Sequence, residues 1–215
     1  MKLAIGDKNY SSWSMRPWLL LTHFGIPFDE VLIELDEPGT KAAILQYSAS
    51  GKVPCLMPDD GFAVWDSLAI AETLAERFPK HALWPRDANA RARARSVSAE
   101  MHSGFFALRN AMPMNIRLKR PGVGTAPDVL SDIARIDAIW RECLAASGGP
   151  FLFGEFSIAD AMYAPVVMRF NSYHPQLSPE AGAYSRRVTA LPAVAAWIAA
   201  ARSETHIVAD DEFDE

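Results

Sequence analysis

Three serines stand close together near the start of the chain, in a segment that could bind an anion. The segment NYSSWSMRPW begins at Asn9 and contains Ser11, Ser12 and Ser14, followed by Pro17. Proline lacks an N–H and is tolerated in the first turn of a helix, so a helix is predicted to begin near Ser14, which would be its N-cap. Ser11 and Ser12 would then lie in the loop before the positive end of that helix.

A hydroxyl in that position could stabilise a thiolate. A free thiol has a pKa of roughly 8.5, and lowering it by about two units needs about 2.7 kcal/mol in favour of the charged form. One hydroxyl hydrogen bond and a helix N-terminus together supply a free energy of this size. The alternative is that the serines only cap the helix and complete the turn.

A second candidate segment is SGKVPCL, residues 50–56, which leads into a predicted strand. A proline entering a strand obstructs sheet pairing unless the chain makes a tight turn, and a cis bond before Pro54 would leave the backbone N–H and C=O of Val53 free. An extended peptide ligand could pair with those groups as an added strand, and Lys52 could meet a carboxylate of that ligand. The alternative is an ordinary turn.

The third candidate segment is Asp66-Ser67, where a predicted strand gives way to a helix. These two residues could simply cap the helix. Alternatively, the hydroxyl and N–H of Ser67 could bind a carboxylate while Asp66 faces an ammonium group. The three segments together would fit a short peptide that carries a thiol, two carboxylates and one amine.

The elements that position these segments alternate between strand and helix patterns in the order βαβαββα. They are predicted at Lys2–Gly6, Ser14–Phe24, Asp29–Glu34, Thr40–Tyr47, Pro54–Pro58, Phe62–Trp65 and Ser67–Phe78. The predicted sheet is too small for a doubly wound nucleotide-binding domain.

After a connector that contains Pro, Lys and Arg, only helical patterns follow. They are predicted at Ala88–Arg117, Asp128–Ala146, Ile158–Asn171, Glu180–Arg187 and Pro192–Ala201. We therefore expect an α/β domain over residues 1–80, a linker over 81–87 and an all-α domain over 88–215. The final residues, DDEFDE, are expected to form a partly ordered acidic tail.

The composition favours a soluble two-domain protein of the cytoplasm. The chain has 215 residues, 50% of them apolar, and a formal net charge of −5. Such a charge gives no general attraction to nucleic acid or anionic membranes, and no apolar run is long enough to span a bilayer. Cys55 and Cys143 are too far apart in sequence for a disulfide framework or a Cys-x-x-Cys site, so no disulfide and no metal are expected.

In their order and rough spacing, the three candidate segments resemble the cytosolic glutathione transferase family, and the likeness covers nearly the whole chain. In the second part, Ser157 and Asp160 resemble the capping box that begins a buried helix in that family, which gives them a structural role. The resemblance implies a glutathione transferase fold: a thioredoxin-like N-terminal domain that binds glutathione, an all-helical domain that supplies the electrophile site, and a homodimer.

The resemblance also implies a role for each site residue. Ser11 is the expected partner of the glutathione thiolate because it precedes Arg16 by five residues, as in serine-type zeta-class enzymes, and Ser12 is the alternative. The remaining glutathione contacts are expected from Lys52 to the glycyl carboxylate, from Val53 and Pro54 to the cysteinyl part, and from Asp66 and Ser67 to the γ-glutamyl end.

The electrophile site is expected on the first long helix of the second domain, where candidate side chains recur every three to four residues along one broad face. The candidates are Met101, Phe105, Arg109, Met112 and Asn115. The alternative is that this mostly apolar stripe belongs to the core.

The function expected from the resemblance is attack by the thiolate of glutathione, a cosubstrate, on a small electrophile. The serine segment is most similar to the zeta class, whose activity is maleylacetoacetate isomerisation, and Trp13 stands where that class has a cysteine. Glutathione-dependent isomerisation is the first alternative, and a non-catalytic binding protein of the same fold is the second. The missing cysteine argues against thiol reductases, which need a nucleophilic sulfur of their own.

Overall fold

The N-terminal part of the chain forms a small α/β unit. A computed structural model describes residues 1–213. The strands and helices follow the predicted order βαβαββα, which confirms this part of the fold prediction. They are β1 (Lys2–Gly6), α1 (Ser12–His23), β2 (Asp29–Ile33), α2 (Thr40–Leu45), β3 (Cys55–Met57), β4 (Val64–Trp65) and α3 (Ser67–Arg77).

Among the residues described, these strands form one mixed sheet in the order β2-β1-β3-β4. Strand β1 is parallel to β2 and antiparallel to β3, and β3 is antiparallel to β4. Because side chains alternate between the two faces of a strand, Leu3 and Ile5 enter the main core, whereas Ala4 enters a smaller core with Ile44 of α2. The sheet is therefore covered on both faces.

The second part of the chain is helical, as predicted. After a 3₁₀ turn (Pro79–His81) come α4 (Ala88–Ser103), α5 (Phe106–Ala111), α6 (Pro127–Ser147), α7 (Ile158–Tyr173), α8 (Pro179–Thr189), α9 (Pro192–Ser203) and a 3₁₀ turn (Ala209–Asp211). No helix within residues 1–213 is both long and apolar enough to cross a membrane. Of the predicted acidic tail DDEFDE, the last two residues lie outside the described part of the chain.

Helix α7 is the centre of the helical part. All of its residues except Asn171 are buried, and it packs against α1 and α4. It begins at Ser157 and Asp160, whose reciprocal side-chain and backbone hydrogen bonds form the predicted capping box. Because one continuous hydrophobic core includes α1, α3 and α7, the helical part fixes the start of α1 in space.

The single long helix predicted over Ala88–Arg117 is wrong, because the chain breaks after α4. Gly104 is extended, and the next residue has a left-handed φ of +60°. A Cβ atom on Gly104 would lie 2.8 Å from the carbonyl oxygen of Glu100, so this close approach needs glycine. The apolar pattern continues through the break, which is why the sequence alone predicts one helix.

Helix α1 begins two residues earlier than predicted. Ser11, not Ser14, is its N-cap, and the Ser11 side chain accepts a hydrogen bond from the Ser14 N–H at 3.4 Å. Pro17 therefore lies inside the helix, beyond the first turn. Its missing N–H removes only the bond that the Trp13 carbonyl would accept, so the helix continues on both sides of it.

The chain after α9 returns to the N-terminal part, and we call residues 204–213 the C-terminal segment. The carboxylate of Glu204 accepts hydrogen bonds from the backbone N–H groups of Lys8 (2.8 Å) and Asn9 (2.9 Å). Farther along, the Tyr10 hydroxyl donates to Glu212 at 2.5 Å. The C-terminal segment thus lies directly beside the serine-rich loop.

His206 attaches this segment to two carboxylates. Its Nδ1 lies 2.9 Å from Asp7 Oδ1 and its Nε2 lies 3.3 Å from Glu37 Oε1. Burial lowers the pKa of His206, but the hydrogen bonds to Asp7 and Glu37 and the charges of Asp7 and Glu34 raise it above its usual value overall. A histidine with a raised folded-state pKa stabilises the fold below its unfolded pKa, and that contribution is lost as the pH rises through the folded pKa.

His206→Gln is therefore expected to reduce the free energy of unfolding more at pH 6 than at pH 9. Urea denaturation of both proteins at the two pH values measures this difference. His81→Gln is the control, since this exposed histidine has no carboxylate partner within residues 1–213. A loss for His206→Gln that is the same at both pH values would contradict the role of the two carboxylates.

Candidate active site

A groove of about 530 Å³ brings together the second and third candidate segments. It lies between the start of α1, the turn before β3 and the start of α3. Its lining consists of Trp13, Ser50, Lys52, Val53, Pro54, Trp65, Asp66 and Ser67. All five residues predicted to bind the backbone and ends of glutathione therefore face one space.

A second cavity of about 520 Å³ adjoins this groove and contains the serine pair. Trp13, Lys52 and Val53 line both spaces. We therefore treat the groove and the cavity as two halves of one site. The second half is lined by Ser11 and Ser12 together with residues from the helical part, which are Arg109, Pro113, Met114, Arg169 and Asp211.

Ser11 and Ser12 line this half with different hydrogen bonds. Ser11 Oγ donates to Ser14 Oγ at 2.7 Å, and Ser14 Oγ also accepts from the Gly6 N–H at 3.1 Å. Ser12 Oγ accepts from Arg169 Nη2 at 3.4 Å, so its own hydroxyl hydrogen can point to a ligand. Ser11 would have to turn its hydroxyl away from Ser14 to do the same.

The turn before β3 presents backbone to both halves of the site. The Val53–Pro54 peptide bond is cis. Within residues 1–213, neither the N–H nor the C=O of Val53 has a hydrogen-bond partner. Lys52 is exposed beside it. An extended peptide could therefore pair with the Val53 backbone and place a carboxylate near the Lys52 ammonium.

Asp66 caps helix α3 and leaves one carboxylate oxygen directed to other groups. Its Oδ1 accepts from the N–H groups of Leu68 (2.9 Å) and Ala69 (3.2 Å). Its Oδ2 lies 3.1 Å from His102 Nε2 on α4. The backbone of Asp66 has a φ of +74°, a conformation that only a few residue types adopt readily. Asp66 is thus held at the end of the groove by its own helix and by α4.

Arg16 lies beneath the groove and supports Ser67 and Trp13. The Arg16 side chain is buried, and its Nη1 donates to Ser67 Oγ at 3.2 Å. Its guanidinium lies 4.2 Å from the centre of the Trp13 ring, and that of Arg109 lies 4.9 Å from it. Within the described part of the chain, Nε and Nη2 of Arg16 have no hydrogen-bond partner.

The site carries an excess of buried positive charge. Burial lowers the pKa of Arg16 well below its usual range, and the charges of Arg109 and Arg169 add to that effect. Burial also lowers the pKa of Arg169 to about 10, again with a contribution from Arg109. Because the positive charges of these guanidiniums repel one another, an anion placed among them would be stabilised.

The five predicted electrophile-site residues divide between the cavity and the core. Arg109 lines the cavity and donates hydrogen bonds to the carbonyls of Met101 and Gly104 at the end of α4. Met101, Phe105 and Met112 are buried members of the main core. Asn115 is also buried and accepts from Asn9 Nδ2 at 2.9 Å.

Sequence reasoning did not find Arg169 and Asp211, which line the second half of the site. The sequence contains a signal for Arg169, because it is the one charged residue in the apolar stretch MYAPVVMRF of α7. A cation in an otherwise buried helix face needs a partner or a function. The sequence contains no such signal for Asp211, because an acidic segment of this kind resembles a solvated tail.

The family of the chain follows from comparison with known proteins. Residues 10–77 match the family described as glutathione S-transferase, N-terminal domain, and residues 88–200 match glutathione S-transferase, C-terminal domain. The chain belongs to the glutathione S-transferase family. A similar relative is the maleylacetoacetate isomerase of Rattus norvegicus, 30% identical over 174 residues, which are 79% of this chain and 78% of the relative.

Solved structures share the fold. A glutathione transferase homologue from Burkholderia, with bound glutathione, superposes with a TM-score of 0.73 at 24% identity, over 94% of this chain and 98% of that one. A bacterial zeta-class maleyl pyruvate isomerase superposes with a TM-score of 0.72 at 22% identity, over 96% and 100% of the two chains. The comparisons confirm the expected glutathione transferase fold and the expected class, a glutathione-dependent enzyme.

Proposed function

We propose that this glutathione S-transferase binds glutathione in the groove and adds or transfers it, through sulfur, to small electrophiles in the adjoining cavity. The observation that carries the proposal is the shared space: the serine pair at the start of α1 lies next to the Val53 turn and the Asp66-Ser67 pair. A peptide held by the last two segments would place its thiol in front of the serines.

The groups in the groove fit the chemistry of glutathione. Lys52 supplies a cation for the glycyl carboxylate, and the unpaired Val53 backbone can bind the cysteinyl part. The Ser67 hydroxyl and N–H can bind the γ-glutamyl carboxylate at the N-terminus of α3. Asp66 Oδ2 can accept from the γ-glutamyl ammonium. The net positive charge around Arg16 supports binding of a ligand with two carboxylates.

We assign the contact with the thiolate to Ser11, with Ser12 as the alternative. Bound glutathione supplies the sulfur nucleophile. Ser11 is the N-cap of α1, so its hydroxyl lies where the helix dipole and free N–H groups favour an anion. Ser12 supports its own case with a hydroxyl hydrogen that is free to donate and with Arg169 beside it. Either hydroxyl would stabilise the thiolate by a charge-assisted hydrogen bond.

In this reaction the chain has three tasks: it binds glutathione and the electrophile, orients them and stabilises the thiolate. The sulfur forms a bond to an electrophilic carbon, and either a leaving group departs with its electron pair or a proton adds to the neighbouring atom. Arg109 and Arg169 can stabilise the negative charge that develops on the electrophile.

Isomerisation is the second candidate function. The named activity of the rat relative favours it, and so do two arginines in the cavity, which could bind an acidic substrate. In isomerisation the bond to sulfur breaks again and glutathione is released unchanged. Measuring glutathione consumption against product formation therefore distinguishes the two reactions.

We also infer that the enzyme is a cytoplasmic homodimer. Support for association comes from large apolar side chains that the single chain leaves exposed, among them Phe62, at 73%, and Phe106, at 68%. Exposed aromatic groups of this size are common at protein interfaces. Sedimentation equilibrium tests the dimer.

The test of the proposed function is the ultraviolet difference spectrum of glutathione bound at neutral pH. A thiolate band is expected in the unaltered protein, and its loss in Ser11→Ala but not in Ser12→Ala would support the assigned serine. Loss only in Ser12→Ala would move the role by one residue. Binding of glutathione without a band in the unaltered protein would contradict the enzyme mechanism and favour a binding protein.

A further inference from the structure

The C-terminal segment contributes a carboxylate to the electrophile half of the site. Asp211 lines the same cavity as Ser12, Arg109 and Arg169. Its side chain is partly buried, whereas the neighbouring Asp210 is exposed. Burial raises the pKa of Asp211, and the charge of Arg169 opposes that rise. The cavity therefore contains a negative charge among its arginines.

Arg169 faces Asp211 without forming a close ion pair. Its guanidinium is buried and donates to the Met112 carbonyl and, at 3.4 Å, to Ser12 Oγ. Within residues 1–213 no carboxylate lies within ion-pair distance of it, and Asp211 is the carboxylate whose charge acts on it. Both side chains line the same cavity, so a ligand bound there would meet both charges.

Contacts of Asp211 and of the two residues that follow it hold Asp211 in this position. The Asp211 carbonyl accepts from Asn115 Nδ2 at 3.4 Å. The next residue, Glu212, accepts from the Tyr10 hydroxyl at 2.5 Å. The ring of Phe213 packs against that of Tyr173 with 6.0 Å between their centres. The carboxylate is therefore a built part of the cavity wall.

We propose that Asp211 is a specificity-determining residue of the electrophile site, which weakens the attraction of the two arginines for electrophiles that carry a carboxylate and so favours neutral electrophiles relative to acidic ones. The inference rests on the proposed function. Two arginines alone would attract a carboxylate, but Asp211 offsets one of them and repels the same group. The charge of this single residue thus sets the balance between acidic and neutral substrates.

The test compares an acidic electrophile, 4-chloro-3-nitrobenzoate, with its neutral methyl ester, and because each variant is given the same two compounds, the difference in their intrinsic reactivity cancels. In both, the glutathione thiolate forms a carbon–sulfur bond and chloride departs with the electron pair of the carbon–chlorine bond. In Asp211→Asn, the ratio of kcat/KM for the acid to kcat/KM for the ester is expected to rise about tenfold. Asp210→Asn, which removes the same charge from an exposed neighbour, is expected to leave the ratio within about twofold.

An unchanged ratio in Asp211→Asn, or an equal rise in Asp210→Asn, would overturn the proposal. A second measurement distinguishes failure of this proposal from failure of the proposed function. If the unaltered enzyme converts neither compound, the proposed transfer reaction fails, and calorimetric titration with succinate, without glutathione, then decides the role of Asp211. Binding about tenfold tighter in Asp211→Asn supports that role, whereas equal binding in both proteins overturns it.

Discussion

Asp66→Asn is expected to raise the KM for glutathione by roughly 10- to 100-fold, because a charge-assisted hydrogen bond contributes about 1.5–3 kcal/mol. The carboxylate is the group that we propose to face the γ-glutamyl ammonium. Asparagine keeps an oxygen that can accept from the Leu68 and Ala69 N–H groups, and it tolerates a positive φ well. The change therefore removes the charge while it preserves the helix cap. Steady-state kinetics at saturating electrophile measure the effect.

Asp66 lies in the groove and not at the serine pair, so its substitution is expected to change glutathione binding and not the reaction step. Because we propose that the thiolate forms at the serine pair, kcat at saturating glutathione is expected to stay within about threefold of the unaltered value. Asp66→Ala shows the effect of losing the structural role of Asp66. Alanine cannot cap the helix and adopts a positive φ less readily, so this variant is expected to lose about 1–3 kcal/mol of stability. If kcat fell for Asp66→Asn while KM stayed constant, Asp66 would act on the reacting centre and not on the amine.

The residues that line the proposed glutathione groove could be predicted to lie together because each of their segments carries a local signal. Serines before a helix, a proline at the entry to a strand and an Asp-Ser pair at a helix start each indicate a conformation within a few residues. Their order along the chain then suggests a common ligand. The structure adds what no local signal contains, such as the contact of Asp66 with His102.

The second cavity, where we propose that the electrophile binds, could not be predicted in the same way, because it is assembled from distant elements. Arg169 comes from α7 and Asp211 from the C-terminal segment, and only tertiary packing brings them to Ser12. The stripe of Met101, Phe105 and Met112 has the periodicity of a buried helix face, and in the structure it belongs to the core. Periodicity identifies burial, but it does not distinguish a core from a pocket wall.

Local signals also failed where a single residue decides the backbone. The helical pattern of α4 continues past Gly104, yet the chain turns there because the glycine allows a close contact with Glu100. Pro17 suggested a later start for α1, yet the Ser11 cap begins the helix earlier. In both places a specific hydrogen bond or contact outweighs the average preference of the residue.

Asp160→Ala is expected to cause the largest loss of stability, about 3–5 kcal/mol, because it leaves buried donors without an acceptor. The Asp160 carboxylate is completely buried. It accepts from the N–H groups of Leu152 (3.0 Å) and Ser157 (3.0 Å) and from the hydroxyls of Ser157 (3.1 Å) and Tyr184 (3.0 Å). Urea denaturation at neutral pH measures the change in the free energy of unfolding.

The matched control is Asp87→Ala, which removes another aspartate that caps a helix. Asp87 accepts from the Ala90 N–H at 2.8 Å at the start of α4, but it is exposed, so water can replace it. A loss of about 1 kcal/mol is expected there. Because α7 packs on α1, the unfolding that Asp160→Ala promotes also removes the support of the serine pair. Equal losses in the two variants would mean that burial adds nothing to the cap.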